Sequence, residues 1–594
     1  MITLEKHKIW VLMILVGMLF LSTRTIFLES DTPPLSETLL FPEDEFFYTT
    51  GGFNLYHHGD ILYQHQPYLK PDASLISSPM NIFASYAGLS VLGNNYYALR
   101  MPAVIASCFA FLFILLLIQK TITLERSPPA LLLLPALYLA LNFSFIMSAR
   151  VFEPTIFRMS WMLLCLWLLV TLVPEKKTPS PTVSFSLGLL SCISFLFIYP
   201  SNLFVTAGTG FAILTLSLSG GWKSTIRNCL MCLMGISLGA GLFYFYLISI
   251  YDGAILDGIL SSISPYKSRA NIGENAQNGT FILKTISNIL ATMGANVFRF
   301  NTGLFIIFMV TVPLYASHVI RERKNIDLVI ASFMLLFSIQ CLFINDFPSR
   351  KQIMMLPFLL LILIRVIQKH EDIRLWVLSS DRRKKFARGY FYFVLLLSVI
   401  NMLSAYGIKL WSTDADQIRP YVIGTSNIIL AYLSINIVLS WYRKHDIKLL
   451  KLAKIGLLFS FLPELFLSGH FIFANPSFLR KNAMIEVASI IDGKNVVGCE
   501  SIGMRLYNKS NVYLNLFRYQ LSDNDADKLH ESEYGNAVRQ LISENKIDYS
   551  FCRIDENRLS MSAMGFELVR TYNTSTDSSR IMGLYKPTQA KTNP

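Results

Sequence analysis

Apolar runs of about twenty residues recur from Ile9 to residue 473 and constrain the fold more than any other feature of the chain. A bilayer core of about 30 Å takes a helix of about 20 mostly apolar residues to cross it. In lipid, backbone polar groups must be hydrogen-bonded within their own segment, so such runs fold as helices. Their number predicts about 13 membrane helices, near residues 9–28, 101–119, 129–148, 157–173, 183–200, 203–219, 229–250, 303–320, 327–344, 352–368, 389–408, 421–441 and 454–473. With 53% hydrophobic and 15% charged residues, the chain is predicted to be an all-α polytopic bundle rather than a soluble protein.

Basic residues are concentrated in short segments between alternate apolar runs. These segments are Lys120–Arg126, Glu175–Lys177, Lys223–Arg227, Arg321–Lys324, Arg382–Lys385 and Arg443–Lys454. Loops rich in Lys and Arg stay on the cytoplasmic side, so they predict a multi-pass protein of the inner, or plasma, membrane. The same distribution accounts for the net charge of +13 without a nucleic-acid partner. A signal peptide is the alternative reading of the first run, although no clean small-residue cleavage site follows it.

The composition changes at about residue 475, where apolar runs become short and alternate with polar segments. Helical patterns at 483–491 and 537–546 and strand-like runs at 496–499, 512–516, 549–554, 566–572 and 581–585 are typical of an α/β unit. Residues 475–594 are therefore predicted to form a soluble domain. If the N-terminus is cytoplasmic, an odd number of spans places this domain on the outer side of the membrane, in the periplasm. It shows no cluster of acids and bases, so the chemistry is assigned to residues 1–474.

The first outer loop, residues 29–100, concentrates acids, aromatic rings and prolines in an otherwise apolar chain. Its motifs are Phe41-Pro-Glu-Asp-Glu-Phe-Phe-Tyr48, Gly59, Tyr68-Leu-Lys-Pro71, Gly93-Asn94 and, entering the next span, Leu99-Arg-Met-Pro102. Three adjacent carboxylates beside aromatic rings, followed by a Lys-Pro pair, indicate a reaction site at the membrane surface.

In these residues the chain resembles the polytopic C-type glycosyltransferases, which include lipid A aminoarabinose transferases and protein O-mannosyltransferases. The matching positions are Asp44-Glu45, Tyr48, Gly59, Lys70-Pro71, Gly93-Asn94 and Arg100-Met-Pro102. Asp72 stands where the family has a second proline. The resemblance covers roughly residues 40–160.

This resemblance implies that a sugar passes from a polyprenyl-phosphate donor to a lipid, glycan or protein acceptor on the outer face of the membrane, with inversion. Asp44 is the predicted general base for the acceptor hydroxyl, a role worth roughly 10²–10⁴-fold in rate. Glu45 is the second predicted catalytic acid, and holding a neighbouring loop is its alternative role. Asp44 and Glu45 point apart in either a helix or a strand.

A second outer loop, Ser148–Pro154, carries Arg150 and Glu153 at a similar depth. The family has an acid after an arginine here, so Glu153 is the third predicted catalytic residue and Arg150 a predicted substrate contact. The alternative for Glu153 is an ion pair with Arg150 or Arg158.

Fixed cations would stabilise a leaving phosphate without donating a proton. Lys70 is the first candidate, with Tyr68 beside it as a substrate contact; contacts with lipid headgroups and packing at the membrane interface are their alternatives. Arg350 and Lys351 lie at an outer span end, against the positive-inside pattern, and are predicted to bind the same phosphate or to reach lipid headgroups.

No cofactor and no metal site is predicted, although His57-His58 and His65 leave room for a divalent metal. Three other classes of protein stay open. A polysaccharide polymerase or ligase would have similar spans but would depend on outer arginines and histidines. A transporter would need polar groups at mid-membrane depth, where these runs are nearly free of charge. A non-enzymatic scaffold would leave the acids of the first loop without a role.

Overall fold

The computed structural model describes two long stretches near the N-terminus and several shorter ones after them. The described residues are 2–31, 42–61, 78–125, 127–198, 202–250, most of 315–343 and 353–396, several positions between 432 and 474, 476–497, 501–513, most of 540–554, 561, 565–574 and 581–588. Tyr68, Lys70, Arg350 and Lys351 lie outside them, as does the predicted outer segment 251–301.

Helices dominate the described residues before the last unit. They are α1 (Ile2–Thr25), α2 (Pro42–His58), α3 (Pro79–Leu92), α4 (Tyr96–Leu124), α5 (Leu133–Leu141), α6 (Phe143–Arg150), α7 (Pro154–Leu172), α8 (Pro181–Ile193), α9 (Leu203–Ser217), α10 (Trp222–Ile250), α11 (Asn325–Phe343), α12 (Leu356–Gln368) and α13 (His370–Leu378). In the described part, 6 helices are long and apolar enough to cross a membrane, or up to 8 if each bent pair forms one span. The multi-pass architecture is therefore confirmed, and the number thirteen stays a prediction.

The third predicted span is not one continuous helix. α5 and α6 meet at Asn142 and are bent by 56°. Asn142 has an extended backbone, and its side chain accepts a hydrogen bond from the Phe145 N–H at 2.9 Å, which starts a new helix there. The predicted span over 129–148 is thus broken at Asn142, because a side-chain cap starts a second helix at this point.

The core of the bundle lies between α4, α7 and α12. Every residue of α12 from Leu356 to Ile367 is buried, and a helix that is apolar all round belongs at the centre of a bundle. The faces of α1 and α10 instead expose large apolar side chains such as Trp10, Trp222 and Phe245. These exposed faces are suited to lipid contact.

A charged cluster ties the helix ends at the far end of α4. Arg365 makes two hydrogen bonds of 2.7 Å with the carboxylate of Asp327, and both side chains are fully buried. Glu125, directly after α4, pairs with Lys324 at 2.5 Å, with Arg365 at 3.0 Å and with Lys369 at 2.5 Å. We call these five residues the distal cluster.

A small α/β unit follows the bundle. It comprises α14 (Leu479–Ile490), β1 (Asn495–Val497), α15 (Ser501–Met504), β2 (Asn511–Tyr513), β3 (Tyr549–Arg553), β4 (Phe566–Asn573) and β5 (Ile581–Pro587). The five strands form one sheet in the order β2-β1-β3-β5-β4, parallel among the first three and antiparallel at β5 and β4. All five overlap short apolar runs of the sequence, which are typical of strands. α14 packs its buried residues, among them Val487, against this sheet.

Candidate functional site

The polar site lies where α4 begins, around an ion pair between the first loop and the second span. Glu45 on α2 accepts hydrogen bonds from Arg100 on α4, at 2.7 Å from Nε and 2.9 Å from Nη2. Both side chains are buried, Glu45 completely. The two parallel hydrogen bonds fix the orientation of the two side chains in addition to pairing their charges. The Arg-x-Pro motif of the sequence therefore serves to hold the acidic helix of the first loop.

The same Glu45 carboxylate also reaches the second loop. Its Oε1 accepts the Phe152 backbone N–H at 3.1 Å, and its Oε2 accepts the Tyr96 hydroxyl at 3.3 Å. Glu45 thus joins α2, the start of α4 and the loop between α6 and α7. This geometry fits the alternative prediction for Glu45, that it holds a neighbouring loop.

Arginine donors also bind the backbone at the end of α1. Arg100 Nη1 donates to the carbonyls of Leu28 and Ser30, each at 2.7 Å. Arg150, at the end of α6, donates to the Thr23 carbonyl at 3.2 Å, to the Ile26 carbonyl at 2.6 Å, to the Phe27 carbonyl and to the Ser30 hydroxyl at 3.1 Å.

The last carbonyls of a helix lack partners within it and carry its partial negative charge. Here Thr23 lies in the last turn of α1, and the other acceptors lie in the segment just after it. The two guanidiniums hold this segment, so the site end of α1 is fixed against both loops. Arg150 was predicted to contact substrate, and the structure places its donors on the protein backbone.

The break between α5 and α6 is held from both sides by charged residues. Arg24 donates to the carbonyls of Leu139 at 3.0 Å and Ala140 at 3.2 Å, at the carbonyl end of α5. Glu464 accepts the Phe143 N–H at 2.6 Å, at the N–H end of α6. Each charge faces the helix end of opposite partial charge.

Sequence reasoning did not select Arg24, Glu464 or Arg158, because each is a single charge near or within an apolar run. A lone charge in such a run is itself the signal that could have found them, since charged side chains in membrane segments must face the protein interior. Arg158 on α7 is almost fully buried and donates to the Asn202 side chain at 2.8 Å.

Glu153 is the N-cap residue just before α7 and follows Phe152, whose N–H binds Glu45. Its side chain is buried, and its Oε1 accepts the Thr155 hydroxyl at 2.9 Å. Asp44 lies on α2, one residue before Glu45. The structure thus brings the helix that carries Asp44 and the loop that carries Glu153 together through Glu45. Their catalytic roles stay predictions.

Burial shifts the pKa of several groups in the first-loop region, His57 and Asp31 among them. Burial, and then the positive charges of Arg505 and His58, lowers the pKa of His57 to about 4, so its ring is neutral at pH 7. Burial raises the pKa of Asp31 above its ordinary value, against hydrogen bonds from the Arg480 N–H and the Ser477 hydroxyl. Among the described residues, no three His, Cys, Asp or Glu side chains converge as metal ligands; His65 lies outside them.

An apolar groove opens beside the polar site, between α3, α4 and α7. It has a volume of about 670 Å³. Its lining includes Met80, Ala84, Ala87, Val91, Met101, Pro102, Ile105, Phe109, Phe157 and Trp161. Phe157 also packs against Phe152, with ring centroids 5.3 Å apart, and Met101 follows Arg100 directly. The groove therefore shares α4 and α7 with the polar site, and its lining is apolar apart from Ser160.

Together, the fold and the site are those of a polytopic membrane protein that gathers acids and arginines where α1 ends and α4 begins. No family model matches the chain, and no curated protein matches it. Among solved structures, the chain is similar to ArnT from Cupriavidus metallidurans bound to undecaprenyl phosphate, with a TM-score of 0.53 and 10% identity over 97% of this chain and 98% of that one. The apo state of the same protein gives a TM-score of 0.50 and 11% identity, with 98% of each chain covered.

The archaeal oligosaccharyltransferase AglB from Archaeoglobus fulgidus, in complex with an inhibitory peptide and a dolichol-phosphate, is a more distant match. Its TM-score is 0.42 at 13% identity, over 94% of this chain and 71% of that one. The ArnT structures show that this chain shares their overall fold. They confirm the fold that the sequence resemblance predicted from the first loop.

Proposed function

We propose that the protein is a membrane glycosyltransferase that moves a sugar from a polyprenyl-phosphate donor to a lipid, glycan or protein acceptor, with inversion. The observation that carries this proposal is an apolar groove along α4, the helix whose first turns hold the buried Glu45–Arg100 pair. A donor of this class combines a long isoprenoid tail with a charged phosphate, and the groove and the cluster match these two parts. ArnT, which shares the fold, has been crystallised with undecaprenyl phosphate.

The acids supply the base. A hydroxyl becomes a good nucleophile when a carboxylate removes its proton as it attacks the anomeric carbon. Asp44 takes this role, because Glu45 next to it is already bound by Arg100, Tyr96 and the Phe152 N–H. The bond from the anomeric carbon to the phosphate oxygen breaks as the new glycosidic bond forms, which inverts the carbon.

The leaving phosphate is met by cations. Lys70, Arg350 and Lys351 are assigned to it, with Tyr68 beside Lys70, since fixed positive charge stabilises the departing phosphate. Arg150 acts on substrate through the backbone that it holds, and Glu153 is a second acid next to the acceptor. Neither cofactor nor metal is assigned to the reaction.

The chemistry is placed on the outer face of the inner membrane, with thirteen spans and a periplasmic domain over 475–594. Cysteines introduced singly at Ser74 and Ser578 are then expected to react with an impermeant thiol reagent in intact spheroplasts. Labelling at one position and protection at the other would overturn this topology.

The function is tested by mass spectrometry of envelope glycolipids, glycans and glycoproteins from cells with and without the gene. The expected result is one missing sugar on one acceptor, together with accumulation of the polyprenyl-phosphate-linked sugar. An unchanged set of glycosylated molecules contradicts the proposal. A solute that fails to cross the membrane, with all glycosylation intact, would identify a transporter.

The groove is tested separately. Ala87→Trp places a bulky ring on its exposed wall and is expected to raise the KM for the donor several-fold, with little change in kcat. Leu242→Trp on the lipid-exposed face of α10 is the matched control and is expected to behave like the wild type. Equal KM values for the two variants would show that the isoprenoid tail of the donor does not bind in this groove.

A further inference from the structure

The C-terminal α/β unit is bound directly to the segment that follows α1. Asp31 Oδ2 accepts the Ser477 hydroxyl at 2.9 Å and the Arg480 N–H at 3.1 Å, at the start of α14. The Asp31 N–H donates to the Ser477 carbonyl at 2.7 Å. A carboxylate from the first loop thus caps a helix that lies more than four hundred residues later, since the two ends differ by 449 positions.

The same unit encloses the residue next to Glu45. Phe46 is completely buried, and the Arg480 guanidinium lies 4.8 Å from its ring centroid. The Tyr96 ring meets it edge-on with centroids 5.9 Å apart. On the remaining side lies Gly503 of α15: three ring carbons of Phe46 would be within 2.7 Å of a Cβ added there. The ring therefore occupies the space that any side chain at position 503 would need.

A second contact holds α2 two turns further along. Arg505, which is buried, donates through Nη1 to the Asn54 side-chain oxygen at 2.5 Å. The Asn94 amide donates to the Arg505 carbonyl at 2.7 Å, just before α4 begins. Phe46, Leu506 and Val512 belong to one apolar cluster with residues of α3 and α4. Both ends of α2 are thus seated on the C-terminal unit.

We infer that the C-terminal unit positions the acidic helix α2 for the reaction, through the Phe46–Gly503 contact and the Arg505–Asn54 hydrogen bond. None of these residues touches substrate; they are positioning residues, and their role rests on the proposed function of Asp44. Asp44 and Glu45 sit directly before Phe46 in the same helix. A shift of α2 against α4 changes the placement of Asp44.

The test is Gly503→Ala, which adds one methyl group against the Phe46 ring. Turnover is expected to fall by roughly 100-fold, the usual effect of a misplacement of about 1 Å, while the KM for a polyprenyl-phosphate sugar changes less than threefold. Adding Phe46→Leu removes the clash and is expected to restore turnover to within about fivefold of Phe46→Leu alone. Normal turnover in Gly503→Ala, or failure of Phe46→Leu to rescue it, overturns the inference.

A second pair of variants covers the case in which Gly503→Ala does not fold. Asn54→Ala removes the acceptor of Arg505 and is expected to lower kcat about tenfold, whereas Asn54→Asp keeps an acceptor and retains most activity. Equal kcat values for the two Asn54 variants would contradict the positioning role. Undecaprenyl phosphate binding, measured for each variant, reports folding and the groove independently of turnover.

A distance measurement separates this inference from the proposed function. Spin labels at His58→Cys on α2 and Ser489→Cys on α14, in a background without native cysteines, report how α2 sits on the unit. Gly503→Ala is expected to shift this distance and Phe46→Leu to return it. If the distance shifts as expected but the wild type transfers no sugar, only the proposed function fails. If the distance is unchanged, the positioning inference fails whatever the activity.

Discussion

The two ends of α4 carry charged clusters that are built in different ways. At the site end, Arg100 divides its donors between the Glu45 carboxylate and the Leu28 and Ser30 carbonyls, and Arg150 donates mainly to backbone carbonyls at and just after the end of α1. In the distal cluster, Arg365 and two lysines direct theirs to the carboxylates of Asp327 and Glu125. The site end therefore holds chain segments, whereas the distal end neutralises side chains against one another.

This difference separates two roles for buried charge. Carboxylates that are saturated by cations have little capacity left for a substrate, so the distal cluster is a structural tie between helix ends. Guanidiniums that bind loop backbone determine the positions of neighbouring side chains. The positions of the acids in both loops therefore depend on these arginines. Substitutions at the site end should change chemistry, and substitutions at the distal end should change only stability.

Asp44→Asn is expected to give the largest effect, a loss of roughly 10²–10⁴-fold in kcat with donor binding kept, because an amide cannot accept the proton. Single-turnover kinetics with a polyprenyl-phosphate sugar measures it. Glu45→Gln should be milder, since its oxygen still accepts from Phe152. If Asp44→Asn transferred sugar normally while Glu153→Gln did not, the base would be in the second loop.

Arg100→Ala is expected to lower both stability and turnover. It leaves the Glu45 carboxylate buried without its cation, a change that costs about 3–5 kcal/mol, and it releases the Leu28 and Ser30 carbonyls. Thermal unfolding in detergent and kcat of the folded fraction measure the two effects. Arg100→Lys should recover only part of each, because an ammonium cannot form the two-pronged pair. Full recovery by lysine would mean that charge alone matters here.

Arg365→Ala is expected to cost a similar amount of stability, about 3–5 kcal/mol, with kcat of the folded fraction unchanged. Arg321→Ala, in a half-exposed pair with Glu322, is the matched control and should cost less than about 1 kcal/mol. A fall in kcat for Arg365→Ala would show that the distal cluster is coupled to the site.

Lys70→Ala is expected to raise the KM for the donor about tenfold, the effect of losing one charge-assisted hydrogen bond, and to leave kcat within a few-fold. Steady-state kinetics at several donor concentrations checks this split. A loss confined to kcat would assign Lys70 to the transition state instead of to donor binding.

The pH dependence of stability gives the smallest effect and sharpens the contrast between the two ends. Burial alone would raise the pKa of Glu125, but hydrogen bonds from Lys324, Lys369 and Arg365 outweigh it and lower the pKa to about 2. A lowered folded-state pKa means stability that is present above the unfolded pKa of 4.5 and is lost as the pH falls towards 2.

Thermal unfolding between pH 7 and pH 3.5 should therefore show a decline below about pH 5 that Glu125→Gln reduces. The contribution of Asp31 to the pH dependence of stability has the opposite sign, because its raised pKa favours the folded state as the pH falls. A decline of the same size in Glu125→Gln would assign it to other carboxylates.

The sequence predicted those parts of the molecule that follow from local pattern. Apolar runs in the sequence located the described spans and all five strands, because such a pattern depends only on neighbouring residues. The family motif selected Glu45 and Arg100, and the structure joins them. The break at Asn142 was missed because Asn142 lies within an apolar run, and the roles of Arg24 and Arg150 were missed because their partners are backbone carbonyls. Every residue has a backbone carbonyl, so the sequence does not show which carbonyls accept a side-chain hydrogen bond. Only the folded structure shows it.

The broken third span also bears on how the chain is assembled in the membrane. Arg24 is made before α5 and α6, so the carbonyl end of the break can be satisfied as soon as these helices insert. The partner of the Phe143 N–H is Glu464, which is synthesised 321 residues later. An unpaired N–H in lipid costs several kcal/mol, so α6 remains incompletely stabilised until the segment that carries Glu464 arrives. That segment leads into α14 and the C-terminal unit, which contacts α2. The helix break in the third span and the contacts between the C-terminal unit and the first loop are therefore both completed late in biogenesis.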